Sequence, residues 1–142
     1  MKISARNLFE GTVKAIHPGA VNTEVEVTVG PGSTLVGIVT NGSIQTLGLV
    51  PGKAVTALVK ASSVMIMTEG DDVRLSARNC LPGKITHLTE GPVSAEVTLT
   101  LASGTAVHAS ITQDAAVALG LKVGQPATAV FKASAVILAV SS

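Results

Sequence analysis

The residues of this chain that are best suited to binding chemistry are cations and hydroxyls that occur twice at the same spacing. Ser4-Ala5-Arg6-Asn7 recurs as Ser76-Ala77-Arg78-Asn79, and Lys60-Ala61-Ser62 recurs as Lys132-Ala133-Ser134. Guanidinium, ammonium and hydroxyl groups all donate hydrogen bonds, and charged donors bind anions strongly. The pattern therefore predicts an anion site in which one Arg and one Lys balance two negative charges.

A second group of donors lies at the predicted start of a short helix in each copy. Thr40 recurs as Thr112, and both threonines precede polar residues that are typical of a helix start. Hydroxyls and helix-terminal N–H groups would complete the donor shell around an oxyanion. Glu24 and Glu96 also match, but they fall on the polar face of a strand and are predicted to be solvent-facing.

Most other chemically active side chains have no counterpart in the second copy. None of the three histidines is matched by a histidine, and Cys80 corresponds to Leu8. An enzyme would have to use one copy alone, for example His87 or His108 with Cys80. The single cysteine also excludes an internal disulfide and a Cys-only zinc site within one chain. The sequence therefore predicts a binding protein rather than an enzyme, with no directly ligated metal.

The elements that position these residues follow from an internal repeat without gaps, at an offset of 72 residues. We predict a first module at 1–68, a linker at 69–74 and a second module at 75–142. In the first module, period-two alternation and turn residues predict strands at 11–16, 21–29, 34–39, 54–59 and 64–67. A short helix is predicted at 41–48 and its counterpart at 113–120. The predicted fold class is all-β, with two tandem OB-like five-stranded barrels that each carry one short helix.

Composition excludes several classes of function. The 142 residues carry a net charge of +1 and two aromatic side chains, both Phe. Single-stranded nucleic-acid binders need a basic groove and stacking aromatics, so nucleic acid is not an expected partner. No apolar run approaches the roughly 18 residues of a membrane span, and the first residues lack the apolar region of a signal peptide. We expect a soluble, cytoplasmic protein.

At these motifs the chain resembles the tandem molybdate-binding proteins of the Mop, or molbindin, family. The resemblance rests on Ser-Ala-Arg-Asn near each module start, Thr-Asn-Gly-Ser before the first helix, and Lys-Ala-Ser before each last strand. It implies an OB-like fold and an assembly of six modules, hence a homotrimer of this chain. It further implies storage or homeostasis of molybdate or tungstate, which is held as an oxyanion at interfaces between modules.

The resemblance also implies which residues bind the oxyanion. Ser4 and Arg6 would reach from one module to an anion held by the helix start and the Lys-Ala-Ser segment of another, with Thr40, Ser43, Lys60 and Ser62 grouped together. The full expected set is Ser4, Arg6, Asn7, Thr40, Asn41, Gly42, Ser43, Lys60, Ala61, Ser62, Ser76, Arg78, Asn79, Thr112, Lys132, Ala133 and Ser134.

The second module departs from the family motif at its helix start. Gln113-Asp114-Ala115 replaces Asn41-Gly42-Ser43, which removes one hydroxyl and adds a carboxylate. Asp114 either caps its own helix or opposes a bound dianion and weakens that site. An alternative function is a molybdate-sensing regulatory module that acts through a partner protein. Regulators and transport ATPases with similar modules carry a helix-turn-helix or a phosphate-binding loop, and this sequence shows neither motif.

Overall fold

The computed structural model describes residues 1–141, which fold mainly as β-strands in two five-stranded sheets. Each sheet belongs to a unit with one short α-helix after its third strand, so the predicted all-β class and the predicted order of elements are confirmed. A single turn of 3₁₀ helix precedes each of the two shortest strands, at Ala61–Ser63 and Ala133–Ala135. The elements are β1 (Asn7–Pro18), β2 (Asn22–Thr28), β3 (Thr34–Thr40), α1 (Asn41–Leu47), β4 (Ala54–Val59), β5 (Met65–Met67), β6 (Asn79–Glu90), β7 (Ser94–Leu101), β8 (Ala106–Thr112), α2 (Gln113–Ala118), β9 (Pro126–Phe131) and β10 (Ile137–Ala139).

The two sheets have the same antiparallel topology, but each takes its outermost strand from the other sequence repeat. The first sheet has the order β10-β4-β1-β2-β3, and the second has the order β5-β9-β6-β7-β8. In the first, Leu138 of β10 pairs with Ala57 of β4. In the second, Ile66 of β5 pairs with Ala129 of β9.

The compact units of the structure therefore differ from the modules predicted at 1–68 and 75–142. The first unit contains Met1–Val59 together with the segment that starts at Lys132, and the second contains Lys60–Phe131. The physical reason is the exchange of the last strand: the chain leaves β4 after Val59 and completes the sheet of the other repeat. Each Lys-Ala-Ser segment lies in the same unit as the exchanged strand that follows it.

Strand β1 is longer than predicted at both ends, because it begins at Asn7 rather than Gly11 and ends at Pro18 rather than Ile16. Its first half pairs with β4 and its second half with β2, and the register shifts at Lys14, between Val13 and Ala15. A bulge of this kind bends a strand, which lets β1 serve two neighbours. The glycine before the bend is required by space, since a Cβ at Gly11 would lie 2.0 Å from the carbonyl oxygen of Thr28.

Each unit has its own apolar core, formed by the inward faces of its strands. The alternation predicted for the second strand of each repeat is confirmed in its interior, where Val25, Val27, Val97 and Leu99 are at most 1% exposed. Burying such a side chain stabilises the fold by about 1.5–3 kcal/mol relative to leaving it in water. Among residues 1–141, no helix is long and apolar enough to cross a membrane.

Candidate functional site

The two Lys-Ala-Ser segments form single 3₁₀ turns that present a lysine and a serine on the surface. The alanine side chain points inward, with Ala61 8% exposed and Ala133 4% exposed. Lys60 and Lys132 are extended and exposed, and their carbonyl oxygens accept the N–H groups that close the turns, at 2.9 and 3.0 Å. Within residues 1–141 neither lysine side chain has a hydrogen-bond or ion-pair partner. Both ammonium groups therefore keep their full donor capacity.

Strand exchange decides which helix start shares a unit with which lysine turn. The turn Ala133–Ala135 packs against β3, and a Cβ at Gly37 of β3 would lie 3.3 Å from a methyl group of Val136. The turn Ala61–Ser63 packs against β8 of the second unit. The lysine turn after Lys132 thus lies in the same compact unit as the helix start at Thr40. The turn after Lys60 lies in the same unit as the helix start at Thr112.

The predicted group of Thr40, Ser43, Lys60 and Ser62 is divided between the two compact units. Thr40 and Ser43 lie in the first unit, whereas Lys60 and Ser62 lie in the second, because the Lys-Ala-Ser segment directly precedes the exchanged strand. The lysine and serine that share a unit with Thr40 are Lys132 and Ser134. The grouping of the four residues at one anion site stays a prediction.

At the first helix start, Thr40 caps α1 and forms a hydroxyl pair with Ser43. The Thr40 Oγ1 accepts the N–H of Ser43 at 3.1 Å, and the two hydroxyl oxygens lie 2.9 Å apart. One of the two hydroxyl protons is used in the bond between them. One hydroxyl proton therefore remains for an external acceptor.

The second helix start offers the same number of hydroxyl protons with a different charge. Thr112 caps α2 by accepting the N–H of Ala115 at 3.1 Å, and the proton of its own hydroxyl has no acceptor within residues 1–141. Because Thr112 is the cap, Asp114 does not fill that role and instead lies exposed in the first turn. Although this module has one hydroxyl fewer, each helix start has one hydroxyl proton available for an anion. The added carboxylate of Asp114 is the difference that remains.

Gly42 occupies open space on the surface of α1. The nearest atom to a Cβ built at this position is the Thr40 Oγ1, at 4.0 Å, and the backbone angle φ is not positive. The fold of the first unit thus makes no demand for glycine here, and the equivalent position in the second unit holds Asp114. An absent side chain leaves this surface accessible to a bound molecule.

The N-terminal residues of the predicted set divide into surface and interior positions. Ser4, Arg6, Ser76 and Arg78 are exposed, and each arginine already has an interaction partner within the chain. Asn7 and Asn79 begin β1 and β6, where both side chains are 1% exposed. The two asparagine side chains are therefore part of the interior, and the surface donors near each N-terminal segment are the serine and the arginine.

The enzyme alternative receives no support from the positions of its residues. Cys80 and His87 lie seven residues apart on the same strand, which corresponds to about 20 Å. His108 Nδ1 lies 3.1 Å from the Thr98 hydroxyl, and Thr98 pairs with His87 rather than with Cys80. Among residues 1–141, no three His, Cys, Asp or Glu side chains are grouped so that they could hold a metal ion.

The fold and the repeated donors define a protein of two OB-like units that displays paired cationic, hydroxyl-rich turns. The family model described as the TOBE domain matches residues 3–66 and 75–138. The chain belongs to this family, and the resemblance found in its motifs is confirmed.

A solved structure and two curated relatives are similar to the chain over nearly its whole length. The structure, described as the cytoplasmic molybdate-binding protein ModG with molybdate bound, is 50% identical, has a TM-score of 0.96, and is matched over 99% of this chain and 100% of that one. MopA of Rhodobacter capsulatus, described as a molybdenum-pterin-binding protein, is 47% identical over 98% of this chain and 52% of its own length. ModE of Azotobacter vinelandii, described as a molybdenum transport protein, is 46% identical over 99% of this chain and 52% of its own length. The chain spans about half the length of the curated relatives it matches.

Proposed function

We propose that this chain binds molybdate or tungstate as an intact oxyanion and serves in its storage or homeostasis. The observation that carries the proposal is the pair of lysine turns, whose ammonium groups are exposed and without a partner among residues 1–141. The chain that contains them is 50% identical, over 99% of its length, to a protein solved with molybdate bound. We place the protein in the cytoplasm, in line with the description of that relative.

The chemistry of the donor set explains how it would select its ligand. Lysine and arginine together neutralise a dianion, and serine and threonine hydroxyls donate to the remaining oxygens. Phosphate at neutral pH carries a proton, which a shell of donors leaves without an acceptor at a cost of about 1–3 kcal/mol. Sulfate carries no proton and would be rejected by its smaller size, whereas tungstate and molybdate are nearly equal in size.

Binding alone, rather than regulation or catalysis, is the function that the comparisons favour. The ModG chain is matched over its full length and is described as a molybdate-binding protein. The regulatory relatives, such as the transcriptional dual regulator ModE of Escherichia coli, are matched over about half of their length. No enzyme is among the relatives compared above, and the anion is the ligand itself, so no further cofactor is proposed.

Calorimetric titration of the purified protein is expected to show tight binding of molybdate and tungstate. Sulfate and phosphate should bind much more weakly in the same buffer, for the reasons of size and protonation given above. Metal analysis of the protein before titration would establish how much molybdenum or tungsten it already carries. Equal heats and affinities for sulfate and molybdate would contradict the proposed selectivity.

We further propose that the chain forms a homotrimer whose anion sites lie between modules. Support comes from apolar side chains that are exposed at matched positions of both repeats. Because contact with water is unfavourable for such side chains, their exposure indicates surfaces that another chain covers. Both Val21 and Val93 are more than 70% exposed. The matched pairs are Ile3 with Leu75, Val21 with Val93, and Met65 with Ile137.

Light scattering is expected to give a mass of three times the 14.2 kDa chain. Sedimentation at several protein concentrations should show the same species, because interfaces that bury many apolar side chains are stable. A monomer that binds molybdate with undiminished affinity would refute the proposal that the sites require several chains.

A further inference from the structure

Thr23 is a buried polar residue that belongs to one repeat alone. It is 3% exposed on β2, and the other buried polar side chains in the described core are Asn7 and Asn79, which match each other. The counterpart of Thr23 in the second repeat is Ala95. Because a buried hydroxyl is unfavourable without a partner, its presence in one repeat points to a task that this repeat has and the other lacks.

The partner of Thr23 is the first residue of α1. The Thr23 hydroxyl donates to Oδ1 of Asn41 at 2.6 Å, and Nδ2 of Asn41 donates to the carbonyl oxygen of Gly19 at 3.0 Å. The backbone N–H of Asn41 donates to the carbonyl oxygen of Val21 at 3.1 Å. Three hydrogen bonds thus join Asn41 to strand β2 and to the turn that precedes it.

The equivalent position of the second unit has lost the side-chain part of this arrangement. Gln113 replaces Asn41 and keeps the backbone bond, from its N–H to the carbonyl oxygen of Val93 at 2.9 Å. Ala95 provides no hydroxyl, and the Oε1 of Gln113 is buried without a hydrogen-bond partner within residues 1–141. The two helix starts are therefore fixed to their sheets to different degrees.

We propose that Thr23 is a positioning residue for the oxyanion site of the first module. By holding Asn41 it fixes the backbone between Thr40 and Gly42, and with it the orientation of the Thr40–Ser43 hydroxyl pair. A donor group that is held in its binding geometry loses less freedom on binding, so it contributes more affinity. The second module lacks this restraint, and its helix start is less well ordered before the anion arrives. This inference rests on the proposed binding of molybdate.

The test replaces the Thr23 hydroxyl while its volume and its β-branched shape are kept. In Thr23→Val, molybdate affinity at the first-module site is expected to fall about three- to tenfold, the effect of one neutral hydrogen bond. Hydrogen exchange of the backbone N–H groups of Asn41 and Ser43 in the anion-free protein should become faster. Thr23→Ser keeps the hydroxyl and should restore both properties.

A matched control and a reciprocal variant separate positioning from general stability. Thr86→Val removes a hydroxyl–hydroxyl bond of 2.9 Å to Thr100, which lies six residues along β7 from Ser94, the partner of Thr112, and this variant should leave affinity unchanged. The double variant Ala95→Thr with Gln113→Asn should slow backbone amide exchange at position 113 and tighten binding at the second-module site. This double variant provides the test if Thr23→Val does not fold.

Two results would overturn the inference. The first is that Thr23→Val binds molybdate and exchanges its amide protons as the natural chain does. The second is that Thr23→Ser loses as much molybdate affinity as Thr23→Val. If the natural chain gives no heat with molybdate, the proposed function fails. In that case the exchange measurements still decide whether Thr23 orders the helix start.

Discussion

Replacing Lys60 by alanine is expected to weaken molybdate binding at least tenfold, and Lys132→Ala should have an equal effect. Each substitution removes a charged hydrogen-bond donor, whose contribution is about 1.5–3 kcal/mol. It also leaves a dianion with one cation fewer to balance it. The measurement is calorimetric titration with molybdate, with circular dichroism to establish that each variant is folded.

The matched control is Lys14→Ala. Lys14 is an exposed lysine at the bulge of β1, and its counterpart in the second repeat is Thr86. Its removal changes the net charge by the same amount, so a general effect of charge would appear in both variants. Lys60→Ala protein that folds and binds as the natural chain does would remove Lys60 from the site.

Arg6→Ala is expected to act in the same direction as the lysine variants. Arg6 already has an interaction partner within the chain, so its removal changes that contact as well as any bond to the anion. The lysines provide the clearer measurement, because their side chains have no partner within residues 1–141. Lysine and arginine variants together would show whether one anion is held by both types of cation.

The order and type of the elements could be predicted because each depends on local pattern. Alternation with β-branched residues placed the second strand, and Gly48, which adopts φ +62, ended the helix where expected. The start of β1 was missed because its pattern is inverted. There the polar Asn7 points inward at 1% exposure and the apolar Leu8 points outward at 46%.

Strand exchange could not be predicted from the sequence. Strands β5 and β10 are equally short and apolar, and the strands that receive them, β9 and β4, are copies of each other. Either fifth strand satisfies either sheet, so local pattern does not distinguish an exchanged from an unexchanged pairing. For this reason the sequence does not show that Thr40 and Lys60 fall in different compact units, although the residue types of the predicted site follow from the repeat.

The number of available hydroxyl protons also required the structure. The sequence shows two hydroxyls at the first helix start, Thr40 and Ser43, and one at the second, Thr112. Their mutual bond at 2.9 Å reduces the difference to nothing, since one proton is left at each start. We therefore expect Ala115→Ser to add little affinity by itself, and any asymmetry between the modules must arise from the charge of Asp114 or from the ordering of the helix start.

Introducing that charge into the first module, as Gly42→Asp, is expected to weaken molybdate binding there more than tenfold. A carboxylate about 4 Å from a dianion is repelled by about 2 kcal/mol even at the dielectric constant of water, twice the value for two unit charges. The backbone accepts the side chain, because a Cβ at Gly42 has no neighbour closer than 4.0 Å. Gly42→Asn is the neutral control of nearly the same shape and should lose much less.

The reciprocal change, Asp114→Gly or Asp114→Asn, should strengthen binding in the second module, and the difference between carboxylate and amide should shrink as salt is added. Screening by salt reduces repulsion between exposed charges but does not alter a steric effect, so the salt series separates the two causes. The measurement is a competitive titration that resolves tighter and weaker sites in each variant at low and high salt. Equal affinity of Gly42→Asp and Gly42→Asn at low salt would show that the carboxylate at this position does not face the anion, and any asymmetry between the modules would then come from the ordering of the helix start.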